Sequence, residues 1–352
     1  MTMSQTTENQ RANGHPPLVS PVIAPEIREL EARVFEASRW IAPLKHQIAT
    51  VIVGQRLLVD RLIVGLLTNG HILLEGVPGL AKTLALKTLA GSIHGSRFGR
   101  VQFTPDMLPS DIVGTTIYRA QTGTFEAKRG PIFANFVLAD EINRAPAKVQ
   151  SALLEAMQEG QVTLGDETFR LPEPFLVLAT QNPLEQEGTY PLPEAQLDRF
   201  LLKVRVRYPD FFEERAILDS MAVTRPHTTV SPVVSIDAIA NARRVVDEVY
   251  IDDAVRDYIV RIVAATREPG RYKIPIEGLL RAGSSPRGTI GLALAARATA
   301  FLEGRGYVVP QDVKAVAPDV LRHRLALSFE AEATAVDGDE IVQRVLQTVV
   351  SP

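Results

Sequence analysis

The chain has 352 residues, 45% of them hydrophobic and 22% charged, an ordinary globular mixture far from disordered or fibrous compositions. Its formal net charge of −3 provides no overall field toward nucleic acid or an anionic membrane, so any such contact would have to be local. The absence of cysteine excludes a disulfide framework, a thiol nucleophile and a zinc-thiolate site, and fits a reducing, cytoplasmic compartment.

At ~150 residues per domain the length suggests about two domains. Residues 1–24 are polar and lack the basic end and apolar run of a secretory signal, so they read as a flexible tail. From Pro25 to about Asn69, Leu30, Val34, Trp40, Ile41, Leu57, Leu58, Leu62 and Leu66 recur at helical spacing. Short apolar runs then follow at His71–Glu75, Arg100–Phe103, Asn135–Ala139, Phe175–Thr180 and Leu201–Val206, with helical segments at Lys82–Ile93 and Ala145–Gln158 among them. That alternation predicts a parallel sheet covered on both faces, an α/β nucleotide-binding domain over 25–207. Two β-hairpins interrupt it. One spans Thr115–Phe125 around Gln121-Thr122-Gly123, the other Gly160–Leu171 around Gly165-Asp166. Insertions of this kind often carry partner contacts. Beyond Tyr208-Pro209 the pattern is helical at Phe211–Met221, Ile236–Val249, Ala254–Thr266, Thr289–Leu302 and Val313–Leu321, giving an all-helical second domain over 208–352. The longest apolar stretches, such as Leu62–Leu67 and Ile290–Ala296, fall well short of the ~18 residues of a membrane span.

Gly76-Val77-Pro78-Gly79-Leu80-Ala81-Lys82-Thr83 lies between a predicted strand and a predicted helix. A glycine-rich loop there turns several backbone N–H groups inward, and the positive end of the following helix adds to their pull on phosphate. In that frame Lys82 reaches the β- and γ-phosphates and the Thr83 hydroxyl ligates Mg²⁺. Ala81 stands where the usual pattern has glycine, so this position is expected to avoid positive φ. The loop alone would also suit, less well, a glycine turn beside a surface lysine. Phe136–Glu141, an apolar run ending in two carboxylates, argues otherwise. Its acids should emerge at the sheet's carboxyl edge beside the phosphates, where Asp140 suits the Mg²⁺ shell and Glu141 is the candidate general base. Asn182 follows another predicted strand, where its amide can hold the attacking water. Read alone, Arg199 is a surface ion-pairing residue and Arg287 a solvated residue at a helix start. His15, His46, His71, His94, His227 and His323 show no metal-ligand spacing, and His71 reads as structural.

Together GVPGLAKT (76–83), QFTPDMLP (102–109), DEINRAP (140–146), ATQNP (179–183), LPEAQLDRF (192–200) and SPRG (285–288) resemble the MoxR family of AAA+ ATPases, over a stretch from about Ile52 to the end of the helical lid. The resemblance makes Ala81 a family-like trait. It implies an AAA+ P-loop core with a helical lid, in which Lys82 and Thr83 belong to Walker A, Asp140 and Glu141 to Walker B, and Asn182 is sensor 1. It further implies that Arg199 is an arginine finger acting on a neighbour's ATP and that Arg287 is the sensor 2 arginine, contacting the γ-phosphate from the lid. The hairpins look like the helix 2 insert and pre-sensor 1 hairpin of the magnesium chelatase and helicase-like branch. Ring assembly, typically hexameric, and chaperone-like action with a von Willebrand factor A domain protein on a protein client are further implications. The alternatives are a nucleic-acid-acting AAA+ motor and a magnesium-chelatase-like subunit. Against the motor, no GAFTGA loop lies near residues 105 to 130, and Lys128-Arg129 and Arg322-His323-Arg324 are short enough to read as solvated faces. A small-molecule kinase would have no need of the helical lid.

Overall fold

A computed structural model describes residues 25–183 and 188–352; the tail expected over residues 1–24 lies outside them. Three helices open the described chain, α1 (Pro25–Ser38), α2 (Ile41–Ala49) and α3 (Arg56–Thr68). The nucleotide-binding core follows as β1 (Ile72–Glu75), α4 (Lys82–Gly91), β2 (Ile93–His94), β3 (Phe98–Gln102), α5 (Pro109–Val113), the hairpin of β4 (Gly114–Arg119) and β5 (Thr124–Arg129), β6 (Phe136–Asp140), α6 (Ala147–Glu159), the hairpin of β7 (Gln161–Leu164) and β8 (Glu167–Arg170), β9 (Leu176–Gln181), α7 (Glu194–Leu197) and β10 (Leu202–Arg205). After α8 (Phe211–Met221) and β11 (Val234–Ser235) come α9 (Ile236–Glu248), α10 (Asp253–Arg267), β12 (Leu280–Ala282), α11 (Pro286–Leu302), α12 (Pro310–Leu321), β13 (Ala326–Leu327), α13 (Phe329–Ala333) and α14 (Gly338–Thr348).

The main sheet has the order β10-β1-β9-β6-β3, with every pairing parallel. Parallel strands must be covered on both faces, and here alternate residues feed two cores. Ile72, Leu74, Phe136, Leu138 and Leu178 join the cluster that runs through α3 into the lid helices. Leu73, Val137, Ala139, Val177 and Ala179 join a second cluster with Val149, Leu153 and Met157 of α6. The apolar runs lack two-residue alternation because neither face meets water.

The lid is helical, as expected, and also carries the short antiparallel β12–β13 ribbon. It is fastened to the core: α11 packs on α3, and α12 runs against β10. The sequence pattern named no individual helix beyond Leu321, although Ile341, Val342 and Val345 line the buried face of α14 and Asp337 caps it. Both hairpins form where expected, and they are joined at their bases. The Arg129 guanidinium lies 5.3 Å from the Phe133 ring and 5.0 Å from the Phe169 ring, a cation–π clamp between β5 and β8.

Candidate functional site

The carboxyl edge of the sheet gathers the first group of residues. β1 delivers the chain to Gly76, whose N–H donates to the Gln181 carbonyl at 3.3 Å, placing the loop against the end of β9. Gly79 has φ +87°, which only glycine adopts without cost. Ala81 corrects the expectation stated for it: it sits in the left-handed region, φ +55° and ψ +21°. The loop has to reverse there to enter α4, and alanine, the smallest residue with a Cβ, bears a strain of about 1–2 kcal/mol, of the kind stored at functional sites. No side chain caps α4, so its first-turn amides have no partner within the helix. Lys82 opens α4 and folds back over the loop, donating to the Gly76 carbonyl at 2.5 Å. Burial lowers its pKa, while the nearby charges of Asp140 and Glu141 oppose the shift. Thr83 is the next residue of the helix and is half-buried.

Asp140 ends β6. Its Oδ1 accepts from the Thr180 hydroxyl at 2.7 Å and its Oδ2 from Arg100 at 2.7 Å. Glu141 leaves the strand with φ +58°, so the two acids do not simply alternate across the sheet. Its N–H donates to the Thr180 hydroxyl at 2.9 Å, and its Oε2 accepts from Gln102 Nε2 at 3.0 Å and lies 3.3 Å from Arg144. Thr180, Arg100 and Gln102 were assigned no role from sequence. What betrays two of them is register, since Gln102 pairs with Asp140 across β3 and β6 and Thr180 stands at the buried end of β9. Asn182, the residue after β9, is buried. Each Asp140 oxygen keeps a lone pair beyond its single hydrogen bond, so Asp140 with the Thr83 hydroxyl offers the hard oxygen donors that Mg²⁺ prefers.

An apolar cleft that the sequence did not reveal adjoins the loop. It has a volume of about 420 Å³ and runs between Ile52 and Val53, the Gly79–Ala81 turn, and Tyr208, Ile217 and Met221. Residues before the sheet and after it thus wall the space beside the phosphate loop, with the apolar character that suits a heterocyclic base.

Arg199 and Arg287 stand elsewhere. Arg199 lies between α7 and β10, at the amino edge of the sheet, and lines a cavity of about 200 Å³ with Arg287, Arg324 and His71. His71 is the residue before β1 and Gly76 the residue after it, so at ~3.3 Å per residue about 16 Å of strand separates that cavity from the phosphate loop. Arg287 is the second residue of α11, whose N-cap is Ser285, and its guanidinium is 3.8 Å from Asp198.

Two buried histidines flank this edge. His71 Nε2–H donates to the Met157 carbonyl and Nδ1 accepts from the Val177 N–H, both at 3.0 Å, which fixes the neutral ring; burial pushes its pKa down to about 4. His323 is likewise held well below its ordinary value, chiefly by burial. This corrects the reading of Arg322-His323-Arg324 as a solvated face: the side chains of Arg322 and Arg324 are only 7% and 3% exposed, because Asp319, Asp339 and Asp198 pair with them. Below pH 6.5 the unfolded chain binds protons that the folded histidines refuse. Stability should therefore fall as pH drops from 6.5 to 5, with a slope that for His71 approaches about 1.4 kcal/mol per unit toward the lower end and to which His323 adds in the same direction. A urea midpoint that stayed level across that window would rule this out.

Among the described residues no helix is long and apolar enough to cross a membrane. Residues 71–202 match the ATPase family associated with various cellular activities (AAA), and residues 276–345 match the AAA lid domain. The chain is 49% identical to the chaperone MoxR1 of Mycobacterium tuberculosis, over 97% of its own length and 87% of that protein's. It is 32% identical to the protein MoxR of Methylorubrum extorquens, with 88% and 95% covered. A crystal structure from Cytophaga hutchinsonii superposes with a TM-score of 0.86 at 46% identity, over 93% of this chain and 99% of that one.

Proposed function

The chain belongs to the MoxR family of AAA+ ATPases, and from that premise we propose that it hydrolyses ATP at sites shared between neighbouring copies in a ring, hexameric as the resemblance implies. The observation that carries this reading is the separation of the two groups of residues. Lys82, Thr83, Asp140, Glu141 and Asn182 cluster at the carboxyl edge of the sheet, while Arg199 and Arg287 lie about a strand's length away. An arginine 16 Å off cannot touch the γ-phosphate held by its own chain, but head-to-tail packing carries it to the next. The surface beside the nucleotide cleft supports the same packing: α8 buries none of its residues, and Tyr208, Phe211, Phe212 and Leu218 are exposed, an apolar face for a neighbour to cover.

Within each site the loop amides and Lys82 bind the phosphates, and the 420 Å³ cleft takes the base. Thr83 and Asp140 would hold Mg²⁺, which supplies neutralisation of charge developing on the phosphates. Glu141 takes the proton of the attacking water, and Asn182 orients that water. Arg199 and Arg287 stabilise the transition state from across the boundary. The hydrolysis cycle is proposed to drive chaperone-like work on a protein client, consistent with a relative that is itself a chaperone, together with a von Willebrand factor A domain protein, as the family resemblance implies.

The shared site makes turnover depend on assembly. Hydrolysis per subunit should rise with protein concentration in step with the sedimenting ring. A dilute, monomeric preparation with full activity per subunit would overturn the shared site.

A further inference from the structure

Arg199 is carried by a short segment whose attachments run largely to the lid. Glu194 of α7 pairs with Arg281 at 3.0 Å. The Phe200 carbonyl accepts from Arg324 at 2.7 Å and from His323 Nε2 at 3.0 Å, and the Leu201 carbonyl accepts from Arg324 at 3.1 Å. Between them stands Asp198, the residue before Arg199. Its Oδ1 accepts from Arg324 Nε at 2.8 Å and its Oδ2 from the Ser285 hydroxyl at 3.1 Å, and Oδ2 is the acidic atom nearest Arg287.

One carboxylate, 20% exposed, therefore meets the N-cap of α11, the arginine on the first turn of that helix and the buried arginine after α12. Three guanidinium groups around a cavity of about 200 Å³ repel one another unless a negative charge stands among them, and in a partly buried setting that repulsion is poorly screened. We propose that Asp198 is the positioning residue that holds Arg199 and Arg287 as one unit, so that a shift of the lid moves both arginines together toward or away from a neighbour's γ-phosphate. The proposal rests on the shared-site reading and adds the coupling between lid and finger.

Asp198→Asn keeps the size of the side chain and an oxygen for Arg324 but removes the charge. Displacing a transition-state group by about 1 Å can cost about 10²-fold, so kcat should fall by about that factor while the KM for ATP stays within about threefold. A merely structural role is separated by co-expressing this variant with Glu141→Gln. The first keeps its own Walker residues and the second keeps its own arginines, so roughly a quarter of the boundaries in random head-to-tail rings would be complete. Activity should return in the mixed rings although each parent is nearly inactive. Arg199→Ala mixed with Glu141→Gln tests the underlying reading by itself. If that pair regains activity and the Asp198→Asn pair does not, the positioning role is overturned and the shared site stands. If neither regains it, the shared site falls and the positioning role with it. Normal kcat for Asp198→Asn alone would also overturn the proposal. Should that variant fail to fold, Ser285→Ala loosens the same carboxylate without a charge change; it should lower kcat by about tenfold and be complemented in the same way, and unchanged kcat there would count against the role.

Discussion

Arg199→Ala is expected to bind ATP as the parent does and to hydrolyse it ~10³ to 10⁵ times more slowly, the range by which an arginine supplied in trans accelerates phosphoryl transfer. The two halves of that expectation have separate origins in the structure. Binding is retained because the phosphate loop, Lys82 and the base cleft lie at the opposite edge of the sheet from Arg199; the cavity that Arg199 lines is bounded by His71, Asp198 and Arg287. Turnover is lost because the negative charge gathering on the transferring phosphoryl group then has no guanidinium from the neighbouring copy. Truncation of a partly exposed side chain away from both apolar clusters should cost the fold little, so the defect should appear in chemistry and not in melting temperature. Equilibrium binding of a fluorescent ATP analogue, paired with single-turnover hydrolysis, separates the two halves. Hydrolysis within tenfold of the parent would move the finger to another residue, and weakened binding with normal chemistry would make Arg199 a ground-state ligand of the nucleotide and not a transition-state group.

Much of this site can be read in the sequence because its chemistry is punctuated by strand ends. Gly76, Asp140 and Asn182 each follow an apolar run, and a parallel sheet places all such ends at one edge. What the sequence does not show depends on register or on contacts between distant segments. Gln102 lies in a motif noticed for its composition, but its amide matters only because β3 pairs with β6 so that Gln102 stands opposite Asp140. Arg100 reaches Asp140 by the same register, two residues earlier on the strand. The base cleft joins Ile52 to Met221, a separation that no local pattern signals. Arg322 and Arg324 look like surface charge in a helix-end tripeptide, and they are buried because Asp198, Asp319 and Asp339 arrive from other elements. Ala81 shows the opposite limit: propensity argues against positive φ there, and the geometry of the phosphate loop overrides it.

Glu141→Gln should leave ATP bound and lower hydrolysis by ~10² to 10⁴, the usual contribution of a positioned general base. The substitution is close to isosteric, and the contact that positions the side chain survives it, since the new amide oxygen can still accept from Gln102 Nε2, now 3.0 Å from Glu141 Oε2. The backbone also stays where it is: the φ of +58° is held by the N–H donated to Thr180, which does not depend on the side chain. What is removed is the basicity, together with the charge that faces Arg144 at 3.3 Å. Asp140 keeps its Thr180 and Arg100 contacts, so the cation site persists and the nucleotide should remain as ATP after gel filtration, with ADP as the retained species in the parent. Asp140→Asn provides the contrast, because loss of that charge weakens the cation site itself and should reduce nucleotide retention along with turnover. If Glu141→Gln instead turned ATP over at the parental rate, the proton would have to pass to another group. Asp140 is the nearest carboxylate, but a residue bound to Mg²⁺ is a poor base, so the water would then be deprotonated by the phosphate itself, and Glu141 would be left with a conformational role through Gln102.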